Sequence, residues 1–136
     1  MLPVLLAAAL LDPSACLADE AEELRASIVV RCLYQAGEFG NQLVDICVKE
    51  DLAAALALQK YPPKSTMIVE LCAERLQADG WARIKMCADE DIAAEEALAR
   101  LDPRYGSLIA ECRAKAGRFG SARALTCVQD ALKPGG

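Results

Sequence analysis

Residues 28–63 read IVVRCLYQAGEFGNQLVDICVKEDLAAALALQKYPP, and this stretch decides the fold. Ile28, Val29, Cys32, Leu33 and Ala36 fall on one face of a helix. Ala36-Gly37-Glu38-Phe39-Gly40 then supplies two glycines for a helix end and a turn. Val44, Cys47, Val48, Asp51, Leu52, Ala55 and Leu58 form a second, longer stripe. Tyr61-Pro62-Pro63 ends it, because proline disfavours helical geometry in the residue before it. The stretch therefore predicts a helical hairpin whose turn lies midway between Cys32 and Cys47. An antiparallel pair brings such positions face to face, as a disulfide needs.

Working outward, the same plan recurs. Cys32 and Cys47, Cys72 and Cys87, and Cys112 and Cys127 are each separated by 15 residues, and successive pairs are offset by 40. Ile28/Ile68, Gly40/Gly80, Asp51/Asp91, Leu58/Leu98 and Pro63/Pro103 keep the same register. A period of this size marks stacked supersecondary units. The repeats are residues 25–64, 65–104 and a truncated 105–136. The predicted fold is all-α, a tandem array of three helical hairpins. Six cysteines allow 15 connectivities in principle. The repeat selects Cys32–Cys47, Cys72–Cys87 and Cys112–Cys127, so that each hairpin closes its own staple. Six free thiols in a reducing compartment are the competing reading.

The N-terminal segment fits an exported, oxidised framework. Residues 2–11, LPVLLAAALL, form an apolar run too short to span a bilayer and of signal-peptide length. Cys16-Leu17-Ala18 offers small residues for cleavage after Ala18, which makes residues 1–18 a leader and 19–24 a short acidic lead-in. Removal of Cys16 leaves an even set of six cysteines. A lipid anchor on Cys16 is the second reading, and a buried N-terminal helix the third. No later stretch is long and apolar enough to span a membrane.

Composition narrows the chemistry. The chain is 54% hydrophobic but only 4% aromatic, and 26 of its 136 residues are Ala, which suits close helix packing better than a sheet. A net charge of −5 argues against nucleic acid as a partner. The absence of His removes His-paired nucleophiles and His-ligated metals. No Cys-x-x-Cys, phosphate-cradling or EF-hand loop is present. The acidic pairs Glu50-Asp51 and Glu90-Asp91, with Asp130, read as solvated helix faces, with cation binding as the alternative. No cofactor, metal or catalytic residue is expected. Phe39, Trp81 and Phe119 flank the turns and are expected to pack over the hairpin ends rather than form an exposed row. Ser65 or Thr66 is expected to cap the helix that follows.

One pattern bears on how repeats join. Positions 51, 91 and 131 carry Asp, Asp and Ala, while positions 43, 83 and 123 carry Leu, Arg and Arg. Inter-repeat ion pairs, Asp51 with Arg83 and Asp91 with Arg123, would produce this pattern. The two positions differ by eight residues, about 12 Å along parallel helices, so unrelated choices in atypical terminal repeats are the favoured reading. Twin-Cys helical hairpins of the mitochondrial intermembrane space use a shorter Cys spacing. The aromatic and glycine signature of Sel1-type and tetratricopeptide repeats is missing, so the chain is assigned to none of these families. The functional expectation is a small periplasmic or secreted structural or interaction module that binds another protein or peptide. An accessory or inhibitor of an envelope enzyme is the alternative.

Overall fold

A computed structural model describes residues 13–135. The expected leader run 2–11 lies outside the described residues, as does the side chain of Cys16. Six α-helices follow in order: α1 Pro13–Ala36, α2 Asn41–Gln59, α3 Thr66–Leu76, α4 Trp81–Ala99, α5 Gly106–Ala116 and α6 Ser121–Leu132. Short 3-10 turns at Gly37–Phe39, Pro63–Ser65, Pro103–Tyr105 and Gly117–Phe119 punctuate them, and no strand occurs among the described residues. The fold is all-α, built from three helical hairpins with one disulfide each. Cys32–Cys47, Cys72–Cys87 and Cys112–Cys127 are bonded, with Cα–Cα separations of 5.8, 5.8 and 5.6 Å. These lie within the usual disulfide range, so no backbone distortion is needed.

Two compact units divide at Val48/Lys49, within the continuous helix α2. In the first, α1 and the opening turns of α2 are joined by Cys32–Cys47, and Ile28, Cys32 and Val44 are buried. In the second, α3 pairs with α4, α5 pairs with α6, and α4 packs on α6. Its two cores are copies in register. One gathers Leu58, Cys72, Ile84 and Ala88, the other Leu98, Cys112, Ala124 and Val128. Each residue of the first lies 40 positions before its counterpart in the second. The Ile84/Ala88 pair becomes Ala124/Val128, a swap that moves bulk along the stripe and reduces it.

The hairpin turns repeat because the backbone demands it. Gly80 and Gly120 precede α4 and α6 with φ of +96° and +86°, a region that side-chain-bearing residues avoid. Residues 19–24 form part of α1. Two expectations are corrected. Ser65 occupies the N-cap position of α3 yet makes no capping bond with its side chain. Its φ and ψ of −93° and −5° are already helical, unlike the extended geometry a capping side chain needs. Trp81 does pack against the Leu58–Cys72 core, but Phe39 and Phe119 remain exposed.

Candidate functional site

The site starts from two buried acids that stand at equivalent positions of successive repeats. Asp51 and Asp91 are 3% and 4% exposed, which requires compensation for a charged group. Each finds it in the following repeat. The backbone N–H groups of Trp81 and Ala82 donate to Asp51 Oδ2 and Oδ1, both at 3.1 Å. The N–H of Ala122 donates to Asp91 Oδ1 at 2.8 Å. Each helix begins after a glycine, which has no side chain to cap it, so a carboxylate from the preceding repeat does so.

The two acids are met by backbone amides rather than by the arginines considered for them. Arg83 and Arg123 are exposed. The first amides of a helix point along its axis and meet a carboxylate placed at its end, whereas a side chain one residue further on projects sideways. Asp91 instead lies 3.7 Å from Arg75 Nη1. The fit at Gly120 is tight: a Cβ there would come within 2.3 Å of Asp91 Oδ2. The third repeat carries Ala131 at this position, and no helix follows it among the described residues.

Asp91 also lies beside a disulfide, with Oδ2 3.7 Å from Cys72 Sγ. A disulfide sulfur has no proton, so this is a contact and not a hydrogen bond. Cys72, Cys87 and Asp91 bring three ligand-type atoms within 4.8 Å of one another. Both sulfurs are spent on the S–S bond, so neither is the thiolate that a metal would bind. Of the other acids considered for a cation, Glu50, Glu90 and Asp130 are exposed, and Asp130 pairs with Lys133 at 2.6 Å.

Beside the Asp91 cap lies a cavity of about 580 Å³. Ile68, Leu71, Ile92, Ala116 and Ala124 give it apolar walls. Its polar lining includes Lys64, Ser65, Glu95, Arg113 and Ser121. The Arg113 guanidinium grips Glu95 with two bonds of 2.5 and 2.9 Å, and the Ser121 hydroxyl donates to the same carboxylate at 2.6 Å. The Arg113 bonds, helped by Ser121 and working against partial burial, hold the Glu95 carboxyl below its ordinary range. The same pairing raises Arg113 above its own.

A second polar cluster joins Tyr61, Asp89 and Lys85. The Tyr61 hydroxyl donates to Asp89 Oδ1, and Lys85 Nζ lies 2.6 Å from Asp89 Oδ2. Burial first, and the Asp89 bond second, push the Tyr61 hydroxyl up. Burial alone would raise Asp89, but bonds from Lys85 and Tyr61 outweigh it and lower the group.

Sequence reading singled out the six cysteines and both acids, and the structure places all eight as bonded or buried groups. It missed Lys64, Ser65, Glu95, Arg113 and Ser121 as a group. No family model, curated protein or solved structure matches the chain.

Proposed function

We propose that this chain works outside the cytosol, in the periplasm or secreted, as a disulfide-stapled helical-repeat module that binds another protein or peptide. Three structural disulfides belong to an oxidising compartment. No described helix is long and apolar enough to cross a membrane.

The observation that carries the binding reading is a mismatch between repeats. Val30, Tyr34 and Leu43 stand at positions where the second repeat has Glu70, Glu74 and Arg83. All three are exposed, Tyr34 by 92%. Large apolar groups held in water where a sister repeat places charge are the mark of a contact surface.

The test expresses the full chain with its own N-terminus and captures partners from envelope extract or medium. Val30→Glu combined with Tyr34→Glu is expected to cut capture at least tenfold, as loss of a central anchor does. Glu70→Ala with Glu74→Ala is expected to leave it unchanged. Equal capture by both double variants overturns the reading. Intact-mass measurement of the same preparation, with and without reduction, reports leader removal, a lipid on Cys16 and three disulfides together.

A further inference from the structure

We propose that the cavity between the second and third hairpins binds an aliphatic carboxylate, its tail along the apolar walls and its head at Lys64 and Ser65. The residues of this site include none of the apolar set Val30, Tyr34 and Leu43.

Register shows why the cavity exists. The second repeat carries Leu76, Trp81 and Ile84, and the third carries Ala116, Ser121 and Ala124 at the same three positions. Ile84 belongs to the core of the second hairpin, and Leu76 and Trp81 pack against it. Ala116 and Ala124 are buried in the core of the third hairpin and, with Ser121, also line the open space. Val128 in place of Ala88 replaces part of the Ile84 bulk, and the remaining loss at Leu76 and Trp81 leaves open space in a tightly packed interior. The resulting volume, about 580 Å³, falls in the range of small-molecule sites.

Two features give the void a ligand's chemistry. The first is Ser65. It is 97% buried, lines the cavity, and its hydroxyl makes no hydrogen bond to protein among the described residues. No buried side-chain oxygen among the described residues lacks a partner, so this unbonded hydroxyl is open to the cavity rather than sealed away from it. The second is charge. Glu95 and Arg113 neutralise each other, and Glu96 faces Arg100 at 3.6 Å. Lys64 alone among the charged lining residues has no ion-pair partner among the described residues. The unmatched charge is positive and sits next in sequence to the unmatched hydroxyl. An ammonium and a hydroxyl donor both suit a carboxylate oxygen. Ile68, Leu71 and Ile92 suit an alkyl chain, with no polar atom among their side chains to reject it.

The test is calorimetric titration of the disulfide-intact exported protein with decanoate, methyl decanoate and decylammonium. The expected result is saturable one-to-one binding of decanoate, with the neutral ester and the amine each weaker by about tenfold or more. Lys64→Glu is expected to invert the preference between acid and amine. Ser65→Ala weakens decanoate several-fold. Ala99→Trp, an exposed position that also lines the cavity, abolishes binding while thermal unfolding and the disulfide count stay unchanged. Absence of saturable decanoate binding overturns the proposal. So does equal affinity for acid and amine, or full binding by Ala99→Trp.

Discussion

The second and third hairpins share one frame and differ in what fills it. Both hold their helices with a disulfide across nearly the same span, 5.8 and 5.6 Å between Cα atoms. Both open their second helix after a positive-φ glycine capped by an Asp of the preceding repeat. Yet Leu76, Trp81 and Ile84 in one become Ala116, Ser121 and Ala124 in the other. The frame is therefore independent of the filling. Covalent and backbone-directed contacts fix the geometry, which leaves side-chain volume free to change and a cavity free to open.

The largest test of this separation removes a staple. A closed 15-residue loop contributes about 3 kcal/mol in the chain-entropy model, so Cys72→Ser with Cys87→Ser and Cys112→Ser with Cys127→Ser should each cost on that order. The third hairpin is expected to lose more, because its smaller core has less burial to fall back on. Urea unfolding of the two double variants decides it. A greater loss in the second hairpin would show that the sulfur bridge does not compensate for a thin core.

The turns offer a sharper contrast. Gly120→Ala places a Cβ 2.3 Å from Asp91 Oδ2 and also strains φ, so a loss of about 2–3 kcal/mol is expected. Gly40 has a φ of +102° with nothing within 4 Å of the added Cβ. Gly40→Ala should therefore cost only the strain, about 1 kcal/mol. Equal melting shifts for the two variants would remove close carboxylate approach as a cause. The caps come next. Asp51→Ala and Asp91→Ala should each lose about 1–2 kcal/mol, with Asn at either position retaining most of it. Arg83→Ala and Arg123→Ala should change little, since both side chains are exposed.

Much of this frame was legible in the sequence. Cys, Gly and Leu at one 40-residue offset gave the hairpins, the disulfide pairing and the buried stripe, because side-chain periodicity reports which face is covered. The alternation Asp51, Asp91, Ala131 also fitted an acid that reaches into the next repeat, although unrelated choices in the terminal repeats fitted it as well. It did not show its partner, because a backbone amide has no letter, and the arginines nearby carried a charge that suited the pattern. Ser65 misled for a related reason: Ser before a helix signals a cap, but the Pro63 turn sets its backbone helical and leaves the hydroxyl elsewhere. The cavity was least legible, since it consists of missing side chains. Its trace is present only when repeats are compared for what one lacks, as at Leu76/Ala116 and Trp81/Ser121.

The smallest effect probes the wall of that cavity. Glu95 is held below its ordinary range when folded by Arg113 and Ser121. A group with a depressed folded pKa adds stability above its unfolded pKa, about 4.3, and loses it as pH falls through the folded value. Glu95 and Arg113 side chains are 37% and 43% exposed, so solvent screening holds the contribution to about 1 kcal/mol or less. Glu95→Gln should therefore lower the melting temperature slightly at pH 7 and hardly at all near pH 2. The first repeat has Ala55 at this position and no such carboxylate, so Ala55→Gln should show no matching pH-dependent difference from the parent chain. If Glu95→Gln carries the same penalty at both pH values, the bidentate bond stabilises by shape rather than by charge, and the polar wall of the cavity would have to be treated as packing.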